Sequence, residues 1–478
     1  MRFLKYVFVI LIISISQFVA AQQNNTYTLQ DCLAIAVKNN LQVKQSSLNA
    51  ESNHLAYLQA KENLLPAVSG SAGRTLSQGR AINSVTNTYV NQSLTSDNYG
   101  LNGSLTLFNG LALQNAIKQA SLAYEAGKMD FQAAKDIVTL NLISNYLSIL
   151  NNLEIIEQVK SQLEVSKQTV ARAEIYEKEG ANKAASDIYD FKGQQASNEV
   201  AVVTAQNSLN AAKLSLFQIM NMPYNPDATF EPIPADAILP QQMNTSTEQI
   251  YQNALNELPA VKAARLRTES YEKALKVSKG YLYPNLNISG GLSTTYSSAG
   301  QKSVFTDSTT SAVPGMYVNS VGGKQAVFST QANYATQNIS YADQFKNNYG
   351  TYLALNLNIP IFSNFTKRNA ISQAKINLQI YQNLEDNVKV QLRQNIEQAY
   401  YNMSSAYNRY QAIQGQVNVY SESFRINKLR YEAGVITSVD YIIAKNNLDN
   451  AKLNLISAKY DYYTSNKLLD YYQGKLSF

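Results

Sequence analysis

The sequence has almost no cysteine or histidine, the residues on which zinc centres and histidine-based catalytic triads depend. Cys32 is its only cysteine and His54 its only histidine. A single cysteine excludes an intramolecular disulfide. Without a second histidine or a cysteine cluster, the sequence lacks the ligands of a zinc site. A histidine-based triad would have to use His54, the single histidine. His54 lies in a helical pattern and is interpreted as a surface residue, so we predict no enzyme, no metal and no cofactor.

Long hydrophobic runs are also missing, apart from one at the N-terminus. Arg2 and Lys5 flank an apolar run from Tyr6 to Phe18, which is short for a membrane-spanning helix. Small residues after the run suit cleavage before Gln22. Residues 1–21 are therefore predicted to be the signal peptide of an exported protein, with an uncleaved anchor as the alternative.

The charge of the remaining chain is nearly balanced. Without the two basic residues of the leader, 38 basic residues stand against 34 acidic ones. This small difference lacks the excess of basic residues typical of nucleic-acid binding, so no nucleic-acid partner is predicted.

Proline and glycine are scarce in two long segments, 111–178 and 364–432. Neither contains proline, and each contains one glycine, Gly127 in the first and Gly415 in the second. At 1.5 Å per residue, each segment would form a helix roughly 100 Å long. Such a helix is too long for an ordinary globular domain and too polar for lipid. We expect these helices to stand in water, packed against other helices.

The second long helix and the helix predicted after it, at 438–474, share a heptad pattern. Apolar or small residues recur at alternating intervals of three and four, the spacing of a helix that lies along another helix. This seam consists of Ile396, Ala399, Met403, Ala406, Tyr410, Ile413, Val417, Tyr420 and Phe424, then Tyr441, Ala444, Leu448, Ala451, Leu455, Ala458, Tyr462, Ser465 and Leu469. Its two halves flank a turn with Gly434, which predicts a helical hairpin.

An equivalent hairpin lies earlier in the chain. The helix predicted at 184–220 repeats the seam 253 residues before its counterpart and follows a turn with Gly180. A near-constant offset predicts duplication. We assign the first repeat to 22–220 and the second to 247–478, joined at 221–246 by a linker that holds five of the ten prolines.

Each repeat opens with a predicted helix, at about 28–63 in the first and 248–280 in the second. After each of these helices, apolar and polar residues alternate with a period of two. The four strands that it predicts are at about 67–74 and 98–108 in the first repeat, and 285–295 and 349–362 in the second. One face carries Asn, Ser and Thr, and the other is apolar. Such strands match the wall of a transmembrane barrel, although a soluble sandwich also has alternating strands. The residues predicted to face lipid are Leu105, Leu107, Leu353, Leu355 and Leu357.

The two polar segments between paired strands, 75–98 and 296–348, are predicted to be exposed loops. Four strands are too few for a closed barrel, which needs about eight. An open edge in lipid leaves backbone groups unpaired, at a cost of several kcal/mol per group. A membrane barrel would therefore have to be assembled from several chains.

The order of these elements resembles that of the TolC family of outer-membrane efflux channels, over essentially all of residues 22–474. The duplicated order of helix, strand, loop, strand, long helix, turn and helix is the specific feature. The short sequences that carry the resemblance are Asn63-Leu64-Leu65-Pro66 and Tyr281-Leu282-Tyr283-Pro284 before the strands, Leu107-Phe108-Asn109-Gly110 and Ile361-Phe362-Ser363-Asn364 after them, and the turns that begin with Tyr176-Glu177 and Tyr431-Glu432.

The resemblance implies a mainly α protein with a membrane β-barrel. In a homotrimer, twelve strands, four per chain, would form one barrel in the outer membrane, continuous with a periplasmic tunnel of duplicated long-helix hairpins. The implied function is passive conduction in a tripartite efflux or secretion system, from a periplasmic adaptor and an inner-membrane pump of the RND or ABC type to the exterior. Outer-membrane lipid would surround the barrel. The alternative is a non-transporting protein, either a helical-stalk surface protein or a periplasmic scaffold.

The resemblance also implies roles for residues at the ends of the hairpins. Gly180 and Gly434 correspond to the tip where an adaptor docks. Asp440, Asp187 and Tyr431 correspond to residues of the periplasmic gate and lumen.

Each gate residue also has a local alternative. A carboxylate such as Asp440 or Asp187 is favoured in the first turn of a helix by the helix dipole. Thr437 or Ser438 would serve as an ordinary N-cap, and Tyr431 would pack in the seam.

Overall fold

The structure, a computed structural model, describes residues 26–82, 88–178, 185–234 and 245–475. The chain divides into two compact units. A helical unit consists of the residues up to Ala56, Ala120–Tyr271 and the chain from Asn377 onward. A strand-bearing unit consists of Tyr57–Gln119 and Glu272–Ile376. The predicted signal peptide, residues 235–244 of the predicted linker and Gly180 lie outside the described residues.

The helices of the two repeats match in length. Their bounds are α1 Leu29–Asn39, α2 Leu41–Glu62, α3 Ala112–Lys178, α4 Ala185–Ile219, α5 Thr247–Glu257, α6 Pro259–Gly280, α7 Tyr341–Asn347, α8 Thr366–Glu432 and α9 Ser438–Tyr472. Leaving out α7, each repeat has helices of 11, 22, 67 and 35 residues in that order. This agreement confirms the predicted duplication of long-helix hairpins. None of the described helices has an apolar stretch long enough to cross a membrane.

The helix that opens each repeat is broken, whereas the sequence predicted one continuous helix. At the first break Asn40 has an extended backbone, and its Oδ1 accepts hydrogen bonds from the backbone of Gln42 and Val43, at 2.9 and 3.3 Å. Asn40 therefore starts α2 as an N-cap. At the second break Leu258 is extended because it precedes Pro259.

The main core of the helical unit joins α1, α3 and α4 to two short strands, β1 (Thr26–Tyr27) and β4 (Thr229–Phe230), which pair in parallel. Tyr146 is fully buried there, with its hydroxyl 2.7 Å from the Glu231 carbonyl and 3.1 Å from the Tyr27 carbonyl. A second core packs α5 against α8 and α9. The seam residues that are buried in α8 and α9 are Ile396, Ala399, Met403, Tyr410, Tyr441, Ala444, Leu448, Ala451, Ala458, Tyr462 and Leu469.

The strand-bearing unit holds one antiparallel sheet of four strands. They are β2 Ala67–Ile82, β3 Tyr89–Phe108, β5 Asn285–Ser297 and β8 Gly350–Asn358, in the order β2-β3-β5-β8. Leu105, Ile288 and Leu355 are register partners across three strands. Leu353, Leu355 and Leu357 are 77%, 64% and 61% exposed. The sheet therefore leaves an apolar face uncovered, and among the described residues no strand pairs with the outer edge of β2 or β8.

A β-bulge changes the register at Leu107. Thr106 pairs with Asn287, but the next paired residue is Phe108, opposite Leu286. Leu107 itself is exposed and has no partner in the β5 register. The alternation of residues between the two faces of the sheet, which holds at Leu105, is therefore interrupted at the end of β3.

The segments 75–98 and 296–348 are not loops as predicted, because most of their residues are in strands. β2 and β3 continue as an antiparallel pair to Ile82 and Tyr89. β6 (Gln301–Ser320) and β7 (Gly323–Asn338) form a second hairpin, and Gly323 at its turn has a positive φ of 113°. Apolar residues in these strands are often adjacent, as in Val304-Phe305 and Val327-Phe328, so neither face is consistently apolar and the alternation that identifies a half-buried strand is missing.

The helix α7 protects the edge of β5 beyond the start of β8. Gln344 is buried, and its Oε1 accepts from the Ser297 amide while its Nε2 donates to the Ser297 carbonyl, each at 2.9 Å. Asn348 donates to the Thr295 carbonyl at 2.6 Å. β8 begins opposite Ser293, so these side chains take the place of a strand along the rest of β5.

An ion pair lies beside this helix, on the same face of the sheet as the leucines. Arg74 of β2 binds both carboxylate oxygens of its register partner Asp97 at 2.7 Å. Asp97 is 1% exposed. The hydroxyl of Tyr341 lies 2.8 Å from that of Tyr99. A buried carboxylate is thereby paired and hydrogen-bonded, as burial of a charge requires.

Gly127 and Gly415 are expected to respond differently to substitution. A Cβ on Gly127 would lie 2.7 Å from the Asn53 side chain and 3.3 Å from the Ala50 Cα, whereas a Cβ on Gly415 meets nothing within 4 Å. Gly415→Ala should stabilise its helix by up to about 1 kcal/mol, the difference in helix propensity. Gly127→Ala should stabilise less or destabilise, because α2 must shift. Thermal unfolding followed by circular dichroism compares the two variants, and an equal increase in Tm would contradict the close packing at Gly127.

Candidate functional site: the tips of the helical hairpins

The turn between α8 and α9 depends on glycine. Gly434 has a φ of 75°, which favours glycine over residues with a side chain. Its amide donates to the Tyr431 carbonyl at 3.0 Å, and the Val435 amide donates to the Arg430 carbonyl at 2.9 Å. These two bonds form a Schellman motif, which ends α8 and satisfies its last carbonyls.

Asp440 takes part in the cap that starts α9. The Thr437 hydroxyl donates to Asp440 Oδ2 at 2.8 Å, and the Asp440 amide donates to the Thr437 hydroxyl at 3.2 Å. The hydrogen bonds from Thr437 hold the pKa of Asp440 below its ordinary value. This capping of α9 is the local alternative that the sequence allowed for Asp440. A lumen role for Asp440 stays a prediction.

Asp187 lies in a link between the two hairpins. The hydroxyl oxygen of Ser438, at the start of α9, is 2.8 Å from Asp187 Oδ1 and 3.0 Å from Asp190 Oδ2, both on α4. Ser438 is 2% exposed. One hydroxyl proton serves one carboxylate at a time, so this serine is the shared donor of two acids.

Tyr431 belongs to an aromatic cluster next to this link. The tip cluster, as we call it, has Val170, Phe191 and Tyr441 buried at its centre, with Ala173, Phe424, Tyr431 and Ile442 packed around them. Ring centroids of Tyr431 lie 5.7 Å from Phe191 and 5.2 Å from Tyr441. These distances are typical of favourable aromatic pairs. The cluster therefore packs α3, α4, α8 and α9 together at the ends of both hairpins.

The tyrosines of this cluster stay neutral at physiological pH. Burial, followed by the nearby charge of Asp187, raises the pKa of Tyr431 to about 12. Burial also raises the pKa of Tyr441. Both rings therefore pack as uncharged groups.

Ion pairs surround the tip cluster. Lys192 and Glu174 join α4 to α3 at 2.9 Å, and Arg172 and Glu432 join α3 to α8 at 3.8 Å. The hydrogen bond from Lys192 lowers the pKa of Glu174, so this pair is intact at neutral pH and is lost as the pH falls through that lowered value. All four side chains are largely exposed, and such pairs contribute little to stability.

A buried polar chain runs between the helices above the tip cluster. Asn198 of α4 donates to the Ser166 hydroxyl on α3 and accepts from Gln194, which in turn accepts from Asn446 of α9. Asn198 lies 253 residues before the seam residue Ala451, so it occupies the equivalent seam position of the first repeat. A polar residue in a helix seam fixes the register of packing at some cost in stability.

The structure brings some of the predicted gate residues together. Asp187 and Tyr431 lie in one region, whereas the carboxylate of Asp440 is bound to Thr437. Sequence reasoning missed Asp190, although its spacing of three residues from Asp187 places both on one helix face. Within the described ranges, no three His, Cys, Asp or Glu side chains converge as metal ligands.

Comparison with known proteins finds a family model that matches part of the chain and solved structures with the same fold. Residues 324–475 match the family model described as outer membrane efflux protein. A comparison with curated proteins found no match.

Several solved structures have the same fold. CusC superimposes with a TM-score of 0.74 at 14% identity, over 93% of this chain and 91% of that chain, and its structure concerns transmembrane channel formation. VceC, an outer membrane protein of Vibrio cholerae, gives 0.72 at 15% identity over 93% and 96%. The CmeC outer membrane channel of Campylobacter jejuni gives 0.72 at 18% identity over 95% and 86%.

These findings confirm the resemblance to the TolC family and the predicted fold class. The protein has the fold of outer membrane channels, and residues 324–475 are similar in sequence to outer membrane efflux proteins. The matched family and the similar structures are channels rather than enzymes.

Ser438→Ala should loosen the link between the hairpins. Loss of the buried hydroxyl leaves Asp187 and Asp190 without their shared donor, at a cost of about 1–3 kcal/mol. Amide hydrogen exchange should then accelerate at the starts of α4 and α9. Ser197→Ala is the matched control, because among the described residues the exposed Ser197 hydroxyl donates to the Gly193 carbonyl of its own helix and not to another helix. Equal exchange in both variants and the parent would show that Ser438 does not join the hairpins.

Proposed function

We propose that this protein is the outer-membrane channel of a tripartite efflux or secretion system. Three copies assemble a barrel and a helical tunnel, through which substrates pass passively from a periplasmic adaptor and an inner-membrane pump to the exterior. The protein resides in the outer membrane with a large periplasmic portion, after export by its N-terminal signal peptide. The family match and the shared fold support this proposal.

The observation that carries the proposal is the unfinished four-stranded sheet. Its apolar face is exposed at Leu353, Leu355 and Leu357, and its edge strands β2 and β8 lack outer partners within the chain. A sheet edge in lipid must be paired, and only closure removes edges completely. Three chains supply enough strands to close one barrel. A homotrimer satisfies both requirements with one kind of contact, β8 of one chain against β2 of the next.

The tips of the hairpins are the proposed periplasmic end. We assign adaptor docking to the turn at Gly434 and, by its place in the sequence, to Gly180. The tip cluster and the Ser438 link keep the hairpins packed, so we assign the closed gate to this region, with Tyr431, Asp187 and Asp440 as its residues. The pump is of the RND or ABC type, since both classes use such a channel.

The alternative function is a non-transporting stalk or periplasmic scaffold. Such a protein needs its exposed leucines covered by protein instead of lipid. Conductance separates the two functions.

Purified protein in a planar bilayer should produce discrete conductance steps. Tyr431→Ala should increase the conductance or the frequency of opening, because it removes a ring that packs on both Phe191 and Tyr441. The control is Tyr401→Ala on the same helix, since Tyr401 is 70% exposed. The absence of steps from correctly folded parent protein would support a stalk or scaffold. Identical steps in all three proteins would place the gate elsewhere.

Leu355→Arg and Asn356→Arg should differ in assembly. Leu355 lies on the apolar face, where an arginine in the middle of the membrane costs about 2–4 kcal/mol. Asn356 lies on the polar face, where its amide is 3.4 Å from the Ser289 hydroxyl. Native mass spectrometry should show trimers for the parent and for Asn356→Arg, and a reduced yield for Leu355→Arg. A stable parent monomer would contradict the proposed trimer. An equal loss of trimer in both variants would contradict the assigned faces.

A further inference from the structure

A cavity lies between the two helical hairpins beside the tip cluster. Its volume is about 240 Å³, and α3, α4, α8 and α9 all contribute to its lining. Neither hairpin encloses it alone. The cavity therefore exists only while the hairpins are packed together.

The walls of the cavity are aromatic. Tyr176, Phe191, Tyr431 and Tyr441 line it, and the small side chain of Ala173 leaves the space open. Phe191 and Tyr441 meet nearly perpendicularly at 6.0 Å between ring centroids. An incoming ring can make further edge and offset contacts with such walls. An apolar cavity of about 150 Å³ holds benzene, so this one has room for a substituted or fused ring.

The polar residues that line the cavity carry a net positive charge. Arg172 and Lys428 are both exposed and stand against one acid, Glu432. Arg172 and Glu432 approach only to 3.8 Å. A guanidinium that is this loosely engaged can bind an incoming carboxylate through two hydrogen bonds. Charge and shape together favour a flat ring with an anionic group.

We propose that the cavity binds small aromatic anions and that a bound ligand holds the two hairpins together. The ring packs among Phe191, Tyr431 and Tyr441, while the anionic group lies toward Arg172 and Lys428. A ligand in contact with both hairpins must leave before they separate. Its effect on conduction rests on the proposed channel function, but its binding does not.

Binding is tested with 2-naphthoate by isothermal titration calorimetry on the full-length protein in detergent. We expect saturable binding at about one site per chain. The neutral analogue 2-naphthylmethanol should bind up to about fivefold more weakly, the difference that a partly exposed charge contact supplies. The cationic analogue 2-naphthylmethylamine should bind more weakly still. No binding of 2-naphthoate, or tighter binding of the amine, would overturn the proposal.

Variants locate the site. Ala173→Leu fills the cavity and should abolish binding. Ser148→Leu, on the same helix but facing the separate cavity among α3, α8 and α9, should bind as the parent does. The double variant Arg172→Ala and Lys428→Ala changes only exposed side chains and should bind the acid and the alcohol equally. Parent-like affinity in Ala173→Leu, or a preserved anion preference in the double variant, would place the ligand elsewhere.

Conductance distinguishes this proposal from the proposed function. In planar bilayers 2-naphthoate should reduce opening of the parent channel, with no effect on Ala173→Leu. Binding without reduced opening would contradict the role in holding the hairpins. Calorimetric binding by a protein that never conducts would contradict the channel function and leave the aromatic-anion site established.

Discussion

Unpaired backbone groups at the two edges of the four-stranded sheet constrain the whole molecule. β3 and β5 are paired on both sides, but β2 and β8 are each paired on one side only. The chain covers just one part of an edge itself, where Gln344 and Asn348 bind the end of β5. In the proposed function, the remaining edges and the exposed leucine face are covered by other copies and by lipid. Assembly then meets the requirement that a sheet edge in lipid be paired.

The duplicated helices suit the proposed ring of identical chains. Such a ring repeats its contacts between chains, and two halves with equal helix lengths would repeat them again within each chain. The second repeat is extended only between its strands, where β6, β7 and α7 are inserted. Polar side chains in the seams, such as Asn198, fix the alignment of neighbouring helices whose apolar faces are otherwise similar.

Much of this fold could be predicted because its signals are long and periodic. The heptad seams and their constant offset predict the two helical hairpins, and the buried seam residues agree with that prediction. The strands 301–320 and 323–338 were missed because their apolar residues do not alternate with polar ones, and periodicity then carries no signal. The break at Asn40 was missed because the apolar pattern continues through its cap. At the tips, Asp187 and Tyr431 were named from resemblance, but the Ser438 link depends on a contact between helices distant in sequence.

The central claim is that β2 and β8 pair with neighbouring copies of the chain. Hydrogen exchange of the protein in lipid nanodiscs, resolved along the four strands, tests it most directly. Pairing predicts protection of the outward-facing amides of β2 over the barrel wall and of β8, comparable to that of β3 and β5. Fast exchange confined to β2 and β8, with β3 and β5 protected, would show that the edges are open and would contradict the account.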